Sequence, residues 1–390
     1  MTRLIAELEE ALAARETQGL TRRRRALDSP QGARIRVDGR EVLHFGSNDY
    51  LGLASDPRVI AAAREGAASF GVGAGASHLV SGHFSAHEAL ERELAAWVAP
   101  CAGARALLFS TGYLANLAIV TALAGPGDAV FGDRLNHACL NDAALLSRAH
   151  FVRYRHSDLE ALARRLAQSE AKRKLICTDA VFSMDGDLAP LPRMLELAQA
   201  YDAWLVVDDA HGFGVTGGGR GTLSQLGLAS ERIVYMGTLG KAAGVAGAFV
   251  AAHPALIETL LQTARAYVFT TAAPPLLACA LRAGLAIIRD EPARRERLRA
   301  LIARFRAGAS ALRWRVLPSE TPIQPLILGD NAEALRVSEA LWQRGLWVPA
   351  IRPPAVPRGS ARMRITLSAA HTERDVDALL DALAAVAEPA

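Results

Sequence analysis

The sequence predicts an α/β protein: a large domain built on a mainly parallel central sheet, followed by a smaller C-terminal α/β domain. Three observations carry this. From about Ala104, short apolar runs alternate with helical segments, the pattern of parallel strands joined by crossover helices. Polar residues gather just after several of those runs, where open α/β sheets bind their ligands. Beyond about Leu285 the chain turns arginine-rich and helical and then alternates afresh. These shifts divide it into an N-terminal helix and small β segment (1–50), a large domain (51–285) and a small domain (286–390).

Taken in order, Leu4, Ile5, Leu8 and Leu12 interleave with Glu7, Glu9 and Glu10, which predicts an amphipathic helix rather than a signal peptide. Ala33 to Phe45 reads as a hairpin turning at Asp38-Gly39. Ser47 to Leu53 is a polar loop, and Pro57 starts a helix over Arg58 to Phe70. Gly71 to Gly82 is too rich in glycine and serine for a regular element, and Ser85 with Glu88 forms a capping box for the next helix. Strands are expected at Ala106–Phe109, Ala129–Phe131, Leu175–Thr178, Trp204–Val207, Arg232–Tyr235 and Gly247–Ala251, with helices over Tyr113–Leu123 and Pro192–Tyr201. The small domain should hold helices over Pro292–Leu312, Ala332–Arg344 and Glu373–Val386 around strands at Gln324–Leu328, Leu346–Val348 and Arg362–Leu367.

Composition narrows the function. At 390 residues, 51% hydrophobic and 22% charged, the chain matches a soluble globular enzyme. A net charge of +4 is too small to argue for nucleic acid, and the basic run Arg22 to Arg25 reads first as a solvated helix end. No apolar run reaches membrane-spanning length, so no membrane partner is expected. Cys101, Cys139, Cys177 and Cys279 are scattered without CxxC or metal spacing, which predicts no metal and a reducing, cytoplasmic location.

Five polar features fall at the expected strand ends: Ser110-Thr111-Gly112, Asp133 to His137, Ser183, Asp208 with His211, and Thr238 with Lys241. Each alone has a plain structural reading, as a turn, a helix cap or a core histidine. Lys241 alone is a surface lysine on a glycine turn, and as a P-loop it fails, because the glycine spacing is wrong and no Ser or Thr follows it. Together they describe one sheet edge bearing a lysine with little bulk around it, whose amine can be partly desolvated and so made nucleophilic.

The motifs Ser47-Asn48-Asp49-Tyr50-Leu51-Gly52-Leu53, Asp133-Arg134-Leu135-Asn136-His137, Val181 to Asp187, Val207-Asp208-Asp209-Ala210-His211-Gly212 and Thr238-Leu239-Gly240-Lys241 resemble those of the α-oxoamine synthases. These are pyridoxal 5′-phosphate (PLP) enzymes of the aspartate-aminotransferase-like fold, fold type I, and the resemblance runs from about Leu20 to His371. It implies that Lys241 is the Schiff-base lysine and then the base at the amino acid's α-carbon, and that Asp208 holds the pyridine nitrogen protonated. It places His137 on the ring face, where it also helps position substrate, His211 and Ser183 on the ring's phenolic oxygen, and Gly112, Tyr113 and Thr238 at the phosphate. Thr270 and Thr271 match a segment that reaches the neighbouring subunit's phosphate, which implies a homodimer with shared active sites.

Family members condense an amino acid with an acyl thioester and lose CO2. Ala350 to Pro357 and Ile323 to Asn331 most resemble the branch that joins L-alanine to a pimeloyl thioester, on acyl carrier protein or coenzyme A, in biotin synthesis. In that branch Arg22, Asn48, Arg352 and Ala355 fall at substrate-binding positions, with the planar fork of Arg352 suited to the amino acid's carboxylate. The four consecutive arginines leave the register of Arg22 open by one. Two positions depart from the pattern: Ala355 stands where Thr is usual, and Asp179 where Glu is usual. The alternatives are a ligase for glycine and acetyl-CoA, a palmitoyltransferase for serine, a PLP aldolase, or a catalytically silent partner subunit.

Overall fold

The computed structural model describes residues 2–387. Two compact units emerge: Met1–Tyr50 with Met184–Gly186 and Arg297–Ala390, and Leu51–Ser183 with Asp187–Glu296. The N-terminal segment that the sequence set apart therefore groups with the C-terminal segment. Its hairpin, β1 (Arg34–Val37) and β2 (Arg40–His44), is the reason, because distant residues complete that sheet. Asp38 and Gly39 both take positive φ, 50° and 72°, the requirement of a two-residue type I′ turn.

The larger unit holds seven strands: β3 (Arg105–Phe109), β4 (Ala129–Asp133), β5 (His150–Tyr154), β6 (Lys174–Asp179), β7 (Trp204–Asp208), β8 (Ile233–Thr238) and β9 (Ala248–Ala252). They form one sheet in the order β3-β9-β8-β7-β6-β4-β5, parallel except for β9, which runs antiparallel to both its neighbours. The central strands are apolar on both faces because both are covered: Leu205, Val206, Val207, Ile233 and Val234 are fully buried. Truncating such a Leu to Ala costs about 2–5 kcal/mol. Strand β5 escaped the sequence reading because it is an edge strand carrying His150 and Arg153, with little of the buried apolar pattern.

The register puts the carboxyl ends of β4, β6, β7 and β8 at one edge. Strand β3 joins them there, being antiparallel to β9, which is antiparallel to β8. The helix Gly112–Leu123 starts just after β3, with Thr111 Oγ accepting the Leu114 N–H at 3.2 Å.

The smaller unit contains β10 (Arg315–Val316), β11 (Ile323–Gly329), β12 (Leu346–Trp347), β13 (Ala350–Ile351) and β14 (Ala361–Thr366). β12 runs parallel to β2 and completes a three-stranded sheet, and the other four form a sheet ordered β10-β11-β14-β13. The N-terminal helix, Arg3–Thr17, buries no residue; Leu4, Ile5, Leu8 and Leu12 are 43–63% exposed.

Two local expectations change. Within the segment expected to be irregular, His78–Gly82 forms a π-helical turn. The helix Ser85–Val98 is capped differently from the expected box: Phe84 is its N-cap, His87 Nδ1 accepts the Phe84 N–H at 3.2 Å, and Glu88 pairs with His83 instead. No described helix is long and apolar enough to cross a membrane.

Candidate active site

The shared edge of the sheet encloses a cavity of about 210 Å³ in the larger unit. Gly112, Tyr113, His137, Ser183, Asp208, His211, Thr238 and Lys241, eight of the sequence-predicted residues, all line it. They come from three kinds of position: a helix start, a strand end or the loop after a strand.

Asp208 closes β7 and is 4% exposed. A buried carboxylate needs donors on its oxygens. Asn116 Nδ2 donates to Oδ2 at 2.7 Å, and the Ala210 N–H donates to Oδ1 at 2.9 Å. Next to it on the sheet, Asp179 ends β6 and accepts the His137 N–H at 2.8 Å. Burial, reinforced by the charge of Asp208, pushes the Asp179 carboxyl well above the usual carboxylate range. The Asp that stands where Glu is usual is therefore biased toward its neutral form.

His137 is the N-cap of the helix Ala138–Ser147. Burial lowers its pKa, against the pull of Asp208, so the ring is neutral. Its Nδ1 accepts the Cys139 N–H at 3.3 Å and lies 2.8 Å from Cys139 Sγ. Burial raises the thiol's pKa, so the sulfur keeps its proton and donates it to Nδ1, leaving the ring's own proton on Nε2.

Lys241 Nζ lies 3.0 Å from His211 Nε2. Its loop turns back through the Gly244 N–H to Lys241 carbonyl bond at 2.9 Å and the Leu239 N–H to Gly247 carbonyl bond at 2.8 Å. Gly244 has φ 74°, and a Cβ there would sit 2.6 Å from Ala54 N, so no side chain fits. Thr238 Oγ donates to the Gly247 carbonyl at 3.2 Å, so its one proton already serves the loop. The Tyr113 hydroxyl donates to Asp142 Oδ2 at 2.8 Å.

The donor set fits PLP. It offers an amine for an aldehyde, a carboxylate for a pyridinium nitrogen, and the N-terminus of a 12-residue helix for a phosphate dianion. Two residues given no role by the sequence join them: Cys139 lines the cavity, and the buried Asn116 donates to both Cys139 Sγ and Asp208.

Other expected residues lie outside this cavity's lining. Thr270 and Thr271 follow the short helix Arg265–Val268, half-buried and exposed respectively. In the smaller unit, Arg352 donates to the Gly19 carbonyl and, at 3.2 Å, to the Thr21 carbonyl. Burial and, after it, the nearby charge of Arg22 lower the pKa of Arg352. Arg25 is committed elsewhere, to Asp38 at 2.6 Å and to the face of Trp342. Asn48 Oδ1 accepts from Tyr50 Oη and Arg364, both at 3.2 Å, and Ala355 is exposed.

The same organisation appears in known proteins. The family model for class I and II aminotransferases matches residues 40–383. An 8-amino-7-oxononanoate synthase of Herminiimonas arsenicoxydans is 61% identical, covering 97% of this chain and 98% of its own length. Among solved structures, a serine palmitoyltransferase from S. paucimobilis bearing a PLP–myriocin aldimine superposes with a TM-score of 0.93 at 31% identity, covering 99% of this chain and 98% of that one. The 8-amino-7-oxononanoate synthase of Francisella tularensis gives 0.76 at 29% identity, over 88% of this chain and 97% of that one. The chain belongs to the class I and II aminotransferase family of PLP-dependent fold type I enzymes, in the branch formed by the 8-amino-7-oxononanoate synthases.

Proposed function

We propose that this PLP-dependent acyltransferase condenses L-alanine with a pimeloyl thioester, on acyl carrier protein or coenzyme A, releasing CO2 and 8-amino-7-oxononanoate. The observation that supports this most is the convergence of Lys241, His211, Asp208 and His137 on one cavity, in a chain so close to synthases of that name. When bound, PLP supplies the electron sink that makes the amino acid's α-carbon acidic.

The chain's residues supply the rest. Lys241 Nζ would hold the cofactor and would serve as the base for the amino acid's α-proton. His211, 3.0 Å from that amine, would orient it and, with Ser183, would hold the ring's phenolic oxygen. Asp208 would keep a proton on the pyridine nitrogen, and Asn116 keeps Asp208 in place. The His137 ring would cover the cofactor face and help position substrate. The Gly112 and Tyr113 amides would take the phosphate, and Thr238 would join them only by turning its hydroxyl from Gly247. Arg22, Asn48 and Arg352 are assigned to substrate, the neighbouring guanidiniums of Arg22 and Arg352 suiting a carboxylate. Ala355 supplies no hydroxyl where the related enzymes commonly have one. Two subunits share each site, Thr270 and Thr271 reaching the partner's phosphate.

The test is turnover of the PLP-loaded enzyme, followed as CO2 and free thiol. L-Alanine with a pimeloyl thioester should exceed glycine with acetyl-CoA and serine with a palmitoyl thioester. Preference for either of the latter pairs would sink the substrate assignment while leaving the cofactor site intact. Borohydride reduction should fix PLP to the peptide containing Lys241; fixation at another lysine would overturn the site.

A further inference from the structure

Away from the cavity, the π-helical turn His78–Gly82 and the start of the following helix bring three imidazoles together. His78 Nδ1 and His83 Nδ1 are 2.9 Å apart, and a nitrogen of His87 lies within 4.8 Å of a nitrogen on each of the other two. The backbone enforces this. A Cβ at Gly82 would sit 2.1 Å from the Ala76 carbonyl oxygen, so only glycine allows the turn that swings His83 back onto His78.

We propose that His78, His83 and His87 form a binding site for a divalent transition-metal cation of zinc's class, with Glu88 orienting His83.

The proton positions support it. Glu88 Oε2 lies 3.2 Å from His83 Nε2, and a carboxylate only accepts, so His83 carries its proton on Nε2. That leaves the Nδ1 lone pair facing His78, in the carboxylate–histidine–metal order by which second-shell acids fix a ligand's tautomer. His78 now donates its Nδ1 proton to that lone pair, and shifting the proton to Nε2 frees a second nitrogen donor. Its ring is held by parallel stacking on Tyr267, with centroids 5.1 Å apart. His87 Nε2 is buried and completes no hydrogen bond, although the Ala273 carbonyl pulls on the ring. Ligation through Nε2 requires His87 to give up the Phe84 N–H, which makes it the costliest of the three donors.

Geometry agrees with the assignment. Two nitrogens each 2.0–2.1 Å from a tetrahedral zinc stand about 3.3–3.4 Å apart, so the His78–His83 pair need open only a few tenths of an ångström from 2.9 Å. Imidazole donors select zinc, copper and nickel over the hard cations. Glu91, also near His83, is already used as acceptor for the Leu108 N–H at 2.8 Å.

The experiment is calorimetric titration of the tag-free, PLP-loaded protein with Zn(II). One ion should bind per chain. His83→Gln should weaken binding at least tenfold, and Glu88→Gln by about 10–100-fold, the usual effect of removing a second-shell partner. His150→Gln, outside the cluster, should change nothing. Binding equally strong in the His78→Gln/His83→Gln double variant would overturn the site. A second measurement needs no variant: Zn(II) should protect His78 and His83 from diethyl pyrocarbonate, mapped by mass spectrometry. Unchanged labelling at saturating Zn(II) would equally refute it.

Discussion

The ends of β7 and β8 are neighbours on one sheet and solve opposite problems. At the end of β7, Asp208 is gripped on both oxygens, by Asn116 at 2.7 Å and Ala210 at 2.9 Å. At the end of β8, Lys241 sits on a turn that closes through Gly244, beside His211. One end holds a buried acid on two donors. The other places an amine on a long side chain, which suits the role proposed for Lys241. Electrostatic stabilisation gains from preorganisation, whereas covalent exchange needs a group with room to travel.

Substitutions should separate these two strategies. Lys241→Ala should be the most severe, abolishing covalent PLP retention and lowering turnover by about 10²–10⁴-fold, the range of a positioned proton-transfer group. Asp208→Asn should keep PLP on Lys241 yet lose about 10²–10³-fold in turnover, the scale of one missing electrostatic partner; near-normal turnover would mean the grip on Asp208 is structural only. Gly244→Ala should cost about 1–3 kcal/mol in stability from strain at positive φ and from overpacking, measured by urea melts of the protein without PLP. Asp179→Asn should be mild, within about tenfold in turnover, because burial already biases that carboxyl toward its neutral form.

The last contrast is titration at the same edge. His156 Nε2 lies 2.7 Å from Asp187 Oδ2, and Nδ1 lies 3.2 Å from both Asp133 oxygens. Those hydrogen bonds to Asp133 and Asp187 raise its pKa to about 10. A histidine raised in the folded state contributes stability that is fully present below its unfolded value of about 6.5. That contribution is lost as pH climbs through about 10. Melting curves between pH 6.5 and 10 should therefore fall less steeply for His156→Gln than for the wild-type chain; identical slopes would remove His156 from the account.

Much of this was written openly in the chain. Buried parallel strands are apolar on both faces, so β6, β7 and β8 stood out, and residues just beyond them defined the edge. What stayed hidden was contact across elements. Asn116 is the lone polar residue in Leu114 to Val120, a signal that it satisfies something buried, yet nothing local names Asp208 as the partner. The capping box at Ser85 and Glu88 failed because the N-cap falls one residue earlier, at Phe84, whose N–H His87 accepts, while His83 engages the Glu88 carboxylate. Likewise Asp38-Gly39 announced a hairpin, but its third strand lies some three hundred residues away, beyond any local pattern.

Asp209, next to Asp208, points away into a different structure. Fully buried, it accepts the Thr222 N–H at 2.6 Å, the Thr222 hydroxyl at 2.7 Å and the Tyr235 hydroxyl at 3.0 Å, while Gly212 and Gly221 leave no space for a Cβ against its oxygens. A genetic screen would score both aspartates as intolerant, for separable reasons. Alleles at Asp209 should be temperature-sensitive and recover at low growth temperature, whereas alleles at Asp208 should stay null whether the cells are cold or warm.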